Sequence, residues 1–356
     1  MYYCSKFLKM KFSNRLIDWY LQNNRDLPWR KTKNPYFIWL SEIMLQQTRV
    51  NQGLSYYLRF TEEFPTVFGL ANAAESEVLK LWQGLGYYSR ARNLHHSAKY
   101  IANELQGVFP TTYDEIKKLK GVGDYTASAI SSICFDLPEA VVDGNVYRVL
   151  ARYFGIDTPI NSSKGVKEFK ELAQTLIDVK KPGTHNQAIM DFGALHCKPQ
   201  NPLCATCPLN ESCVALEKVQ IKKLPVKEKK IKVRKRYFNY LVILTDRKET
   251  VLNERKGKGI WQGLYEFPVL ESEKSIDETA LVVSEKFNQL PLKKYQISLF
   301  NEKEIVHKLS HQHLYTKFWI VTVASLEQSM ISWSAVNKYP VPVLIANFLK
   351  DFNPSH

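Results

Sequence analysis

Residues 117–135 read KKLKGVGDYTASAISSICF. A short basic and apolar segment runs into Gly121-Val122-Gly123 and out into an apolar run with helical spacing. The pattern predicts helix, tight glycine turn, helix: a helix–hairpin–helix. Such a turn offers backbone N–H groups and a helix N-terminus to an anion such as phosphate. Gly121 and Gly123 are therefore candidate contacts to a nucleic-acid backbone. Tyr125, two residues beyond the second glycine, stands at the mouth of the second helix.

Working outward, VVDGNVYRVLARYF (141–154) places Asp143 ahead of another helical pattern, as a helix cap or as a catalytic carboxylate. Upstream, Asn34-Pro35 is a cap residue followed by proline at the first helical position, so a helix should run through YFIWLSEIMLQQT. Glu42 lies on that apolar run. It either faces solvent or sits desolvated in a pocket, where its pKa would rise and it could keep a proton to donate. A further helix is expected over SEVLKLWQGL (76–85), and the chain from about 13 to 216 reads as mostly helical.

The helical stretch closes with CKPQNPLCATCPLNESC, in which Cys197, Cys204, Cys207 and Cys213 fall within 17 residues. Four thiolates on a short loop can hold zinc or a [4Fe–4S] cluster. Zinc ribbons usually pair two C-x-x-C knuckles, and only one is present, which leans to iron–sulfur. A closed four-ligand site points to a structural role.

The chain has 356 residues, is 45% hydrophobic and carries a net charge of +14, which suits two domains and a polyanionic partner. It has no apolar run long enough to span a membrane and no secretory pattern at its start. A cytoplasmic location is expected, with the nucleoid as the site in a bacterium. Residues 217–236, EKVQIKKLPVKEKKIKVRKR, hold ten Lys or Arg against two Glu. They read as a basic interdomain linker, lying along nucleic acid or simply solvated. Beyond it, YFNYLVILT and KFWIVTVA alternate like strands, and SIDETALVVSEKFNQL between them reads as one helix. The expected architecture is a helical domain over 1–216 and a smaller α/β domain over 237–356.

Together these motifs resemble the endonuclease III superfamily of base-excision DNA glycosylases. LPWR (27–30), WLSEIMLQQT (39–48) and GLGYYSRARNL (84–94), with the extra C-terminal domain, are similar to its A/G-specific adenine glycosylase branch, the MutY type. The resemblance covers essentially the whole chain. It implies a mainly α fold with an iron–sulfur loop and a Nudix-like C-terminal domain.

The implied substrate is double-stranded DNA carrying adenine opposite 8-oxoguanine or guanine, and the implied product is an abasic site. A monomer is expected. The resemblance makes Glu42 the acid that protonates adenine and Asp143 the carboxylate facing the sugar; Asn145, two residues on, is placed to orient that carboxylate or the sugar. Lyase members carry lysine where this chain has Tyr125; a phenol cannot form a Schiff base, so base removal without strand cutting is expected, and the resemblance implies that Tyr125 is a helper beside the sugar. Trp29, Arg30 and Gln187 match positions lining the adenine pocket. Gln47 and Tyr87 match positions that enter the duplex around the flipped base, and Thr48, beside Gln47, is a further candidate substrate or DNA contact. Ser310 and His311 match the pair that senses 8-oxoguanine, although Leu309 stands where an aromatic is common. The nearest stretch to a Nudix hydrolase signature, GIWQGLYEFP (259–268), lacks its acidic cluster, so pyrophosphate hydrolysis is not expected. The alternatives are a bifunctional glycosylase/lyase and a non-catalytic DNA-binding protein.

Overall fold

The computed structural model describes residues 6–228 and 233–354, with the backbone alone for 6–10. The chain divides into two compact units. One takes the chain up to Asn72 and then Asn93–Lys229; the other takes Ala73–Arg92 and the chain from Lys230 onward.

The first unit is helical throughout its described residues. Its first helices are α1 (Lys6–Asn23), α2 (Pro35–Leu45), α3 (Val50–Glu63) and α4 (Val67–Asn72). The next, α5 (Glu75–Leu81), belongs to the second unit, and α6 (Ser89–Asn103) begins there and continues into the first. Then come α7 (Tyr113–Lys118), α8 (Asp124–Phe135), α9 (Gly144–Phe154), α10 (Ser163–Leu176), α11 (Pro182–Asp191) and α12 (Val214–Glu217).

α2 starts where the sequence places it: the Asn34 side chain accepts the Tyr36 N–H at 3.0 Å, and Pro35 opens the helix. Ile38, Trp39, Leu40, Ile43 and Met44 are all buried, so α2 is apolar all round and packs as a central helix against α3 and α8. α7 and α8 form the hairpin. Between them Gly121 takes φ +86°, and a Cβ there would lie 2.8 Å from the Asn93 Cβ, so only glycine makes this turn without strain. Gly121 and Gly123 are both exposed.

The basic stretch 217–236 is not a free tether over its described residues. Residue 217 ends α12, and residues 218–228 pack on the helical unit. Arg152 Nε donates to the Ile221 and Leu224 carbonyls, each at 3.1 Å, and Ile160 N–H donates to the Val226 carbonyl at 3.0 Å. Leu224 is buried there. Arg234–Arg236 already belong to a strand, and residues 229–232 lie outside the described residues. Ile221 and Leu224 are the reason: apolar side chains interleaved with the lysines give the segment a face to bury.

The second unit is built on β1 (Arg234–Thr245), which pairs in parallel with a twelve-residue strand, β8 (Gln312–Val323). Two two-stranded ribbons flank it: β2 (Glu249–Thr250) with β9 (Ile331–Ser332), and β3 (Asn253–Glu254) with β4 (Tyr265–Glu266). Antiparallel strands complete the main sheet. β5 (Val269–Ser272) lies on β1, and β6 (Gln296–Leu299) and β7 (Ile305–Lys308) both pair with β8. One face buries Leu241, Ile243, Trp319 and Val321 against two short helices, α13 (Glu278–Val282) and α14 (Glu285–Asn288). These replace the single helix expected over 275–290. Ser284 interrupts it with an extended backbone, and its hydroxyl accepts the Phe287 N–H to start a new turn. The last helix is α15 (Val343–Asp351).

Candidate active site

Four of the residues singled out from the sequence, Glu42, Asp143, Tyr125 and Asn145, line one pocket in the helical unit. Trp29, Arg30, Thr48 and Gln187 form its other walls.

Glu42 projects from α2, the helix with no polar face, and only 9% of it is exposed. Burial raises its pKa to about 7, helped by the Asp143 charge and opposed by the Tyr125 hydroxyl and Arg30. The carboxyl is therefore desolvated, not solvated, and holds a proton near neutrality.

Asp143 is both things the sequence allows: it caps α9 and lines the pocket. Its Oδ1 accepts the Asn145 and Val146 N–H groups at 2.9 and 2.8 Å, and its Oδ2 accepts from Asn145 Nδ2 at 2.7 Å. Burial raises its pKa, and these bonds, together with Arg148, hold the rise back. Three donors at a helix N-terminus favour an acceptor-only carboxylate.

Asn145 is itself held. Arg148 Nη2 donates to Asn145 Oδ1 at 2.8 Å and to the Gly193 carbonyl at 2.6 Å, and Arg148 Nε donates to the Cys197 carbonyl at 2.8 Å. Gly193 lies in a π-helical turn, Phe192–His196, where an added Cβ would fall 2.6 Å from the Asn145 Cβ. Gly193→Ala is therefore expected to displace Asn145 and slow catalysis by about 10²-fold. Single-turnover rates read this against an unchanged DNA affinity.

The Tyr125 hydroxyl reaches the Glu42 carboxyl and lies 3.2 Å from Met190 Sδ. Burial and the two carboxyl groups hold its pKa well above 10, so it serves as a neutral donor. Asp191, fully buried, takes both Arg30 terminal nitrogens, at 2.6 and 2.7 Å, and an ion pair from Arg25. Burial pushes Asp191 up, and the two guanidinium groups more than reverse this, leaving it below the usual carboxylate range. Arg30 is thus a neutralised wall, not a free cation.

Other predicted residues lie elsewhere. Gln47 is exposed just past α2, with a left-handed backbone at φ +55°. In the second unit, Tyr87, Ser310 and His311 line a separate recess with Trp261 and Arg92. Tyr87 takes φ +48°, and its hydroxyl is 2.7 Å from Ser310 Oγ. Glu266, the acid of the 259–268 stretch, is buried and bonded to Arg255 and Tyr240.

The four cysteines line one recess at the end of the helical unit. Among the described residues, no three or more His, Cys, Asp or Glu side chains are arranged to hold a metal ion as they stand. Leu209 N–H points at Cys207 Sγ (3.4 Å) and Arg152 Nη1 at Cys197 Sγ (3.5 Å).

Comparison with known proteins bears on this geometry. Residues 40–175 match the model of the HhH-GPD superfamily base excision DNA repair protein, and residues 239–351 match that of a NUDIX domain. An adenine DNA glycosylase of Buchnera aphidicola subsp. Baizongia pistaciae is 35% identical over 356 residues, 97% of this chain and 98% of the relative. The chain belongs to the adenine DNA glycosylase family. Another member, from Rattus norvegicus, is 46% identical over 217 residues, 58% of this chain and 42% of that protein. The structure of a thermostable thymine-DNA glycosylase superposes with a TM-score of 0.55 at 32% identity, covering 59% of this chain and 97% of that one.

For a member of this family, sequence reading passed over Arg25, Arg148, Met190 and Asp191. Asp191 had a signal: it lies four residues after Gln187 on one helix, hence on the same face. Arg148 likewise follows Asn145 by three. Met190 follows Gln187 by three on α11 in the same way; Arg25 had no such signal, because only the tertiary fold brings it to the pocket.

Proposed function

We propose that the protein removes adenine mispaired with 8-oxoguanine or guanine from double-stranded DNA, hydrolysing the N-glycosidic bond and leaving an abasic site. One observation carries the reading: a buried, proton-holding Glu42 shares a pocket with a hydrogen-bonded Asp143 carboxylate. Breaking the C1′–N9 bond leaves its electron pair on the base and positive charge on the sugar. Glu42 delivers a proton to a ring nitrogen of the departing adenine. Asp143 faces the oxocarbenium-like sugar and stabilises it, and water adds to C1′ as the Asp143 carboxylate takes its proton. Tyr125 holds the Glu42 carboxyl and offers no amine for a Schiff base, which supports base removal without strand cleavage. The exposed hairpin glycines suit phosphate contacts, and the Tyr87–Ser310–His311 recess suits sensing of the opposite base.

Cys197, Cys204, Cys207 and Cys213 would hold a [4Fe–4S] cluster. Burial first, then the neighbouring sulfurs, push the Cys207 thiol up to about 11, so four thiolates in this recess call for compensating positive charge. The N–H groups aimed at Cys207 and Cys197 suit ligated sulfur. A bound cluster supplies a covalent tie across the 197–213 loop. Cys207→Ser is expected to lower the iron and acid-labile sulfide, roughly four of each per chain in the wild type, and to lower the melting temperature with them.

The substrate reading is tested with duplexes holding adenine opposite 8-oxoguanine, adenine opposite guanine, or thymine opposite guanine. The released base is identified by chromatography. Free adenine from the first two supports the proposal; release of thymine alone overturns it.

A further inference from the structure

Tyr20 does not line the pocket. It stands behind it on α1, 7% exposed, and its hydroxyl donates to Gln187 Oε1 at 2.6 Å. The Arg30 guanidinium lies over its ring, 5.5 Å from the centroid, and is itself committed to Asp191. Gln187 therefore enters the pocket with its amide already oriented. Its Oε1 keeps one lone pair for a ligand, and among the described residues its Nε2 donates to no other group.

An amide so fixed presents an acceptor and a donor side by side in one order. Adenine offers the complement on either edge: an exocyclic amine beside a ring-nitrogen acceptor. A 6-oxopurine, hypoxanthine or guanine, sets a carbonyl oxygen against Oε1 instead. The amide could meet that oxygen only by flipping. Nε2 would then donate to the phenol oxygen, and the buried Tyr20 proton would lose its acceptor. Leaving a buried donor unmade is the costly half of hydrogen-bond energetics.

We propose that Tyr20 is a positioning residue for base specificity: by locking the Gln187 amide it selects 6-aminopurines over 6-oxopurines. The proposal rests on the adenine-excision reading above.

The test is single-turnover base release from duplexes carrying adenine, or hypoxanthine in its place, opposite 8-oxoguanine. Wild type, Tyr20→Phe, Gln187→Met and the double variant are compared. The quantity read is the adenine-to-hypoxanthine rate ratio, which loss of packing would not move. Tyr20→Phe keeps the ring under Arg30 and should lower the ratio about tenfold. Gln187→Met should lower it at least as much, and adding Tyr20→Phe to Gln187→Met should change it no further.

An unchanged ratio in Tyr20→Phe overturns the proposal. So does an equal further drop in the Gln187→Met background, which would show that Tyr20 acts independently of the amide. Should Tyr20→Phe fail to fold, Gln187→Met still tests the premise: a ratio it leaves intact removes the amide from recognition and overturns the proposal. Wild type that releases no adenine brings down the excision reading and this proposal together. Wild type that releases adenine, with a ratio indifferent to Tyr20, brings down this proposal only.

Discussion

Asp143→Asn should slow adenine release by on the order of 10³-fold, about 4 kcal/mol of barrier, while duplex binding stays nearly unchanged. The amide can still accept the Asn145 and Val146 N–H groups that Oδ1 accepts now, so α9 keeps its cap. What the proposed mechanism loses is the negative charge facing the sugar as its C1′–N9 bond opens. The Asn145 Nδ2 bond to Oδ2 is lost with it if the new amide turns its nitrogen that way. Single-turnover kinetics with a separate binding titration measures the two effects. A variant that fails to bind, or one that reacts at the wild-type rate, would mean that Asp143 is a helix cap and nothing more.

Glu42→Gln should cost about 10²- to 10⁴-fold in the same assay, since an amide cannot donate the proton that the base needs. In the proposed mechanism only the protonated carboxyl is active, so the wild-type rate should fall as pH rises through about 7. Stability follows the same group. Its folded pKa of about 7 lies above the unfolded value of 4.5, so the folded state holds the proton more tightly between them. The protein therefore loses stability as pH climbs from 4.5 to 7, and by pH 8 the ionised, buried carboxyl costs up to about 3 kcal/mol. Gln carries no such charge. Thermal melts should show Glu42→Gln close to wild type at pH 5 and more stable at pH 8. Equal melting temperatures at both pH values would mean that Glu42 ionises as freely as an exposed acid.

Much of the fold and of this site is legible locally. The Gly121 turn, the Asn34-Pro35 start of α2, the cysteine loop and the two long strands each rest on chemistry within a few residues. So does the cap role of Asp143, and an acid on the apolar face-less helix α2 already raises the question of desolvation. What the chain does not advertise is pairing at a distance. Nothing near Asp191 announces that Arg25 and Arg30, more than 160 residues away, will neutralise it. Nothing near Tyr20 points to Gln187. The grouping of 73–92 with the C-terminal unit is of the same kind. The docking of 218–228 was masked for another reason: its lysines dominate the composition, while Leu224 and the carbonyls bound by Arg152 decide the packing. The break between α13 and α14 was local and readable, since Ser284 is a cap residue inside an otherwise helical run.

The most direct test of the account uses a labelled duplex with one adenine opposite 8-oxoguanine, incubated with enzyme in excess and analysed with and without hot alkali. Cleavage only after alkali, absent with Asp143→Asn, is the predicted result: base removal by the carboxyl pair, with Tyr125 supplying no lyase. Cleavage without alkali, trapped as a protein–DNA adduct by borohydride, would contradict it.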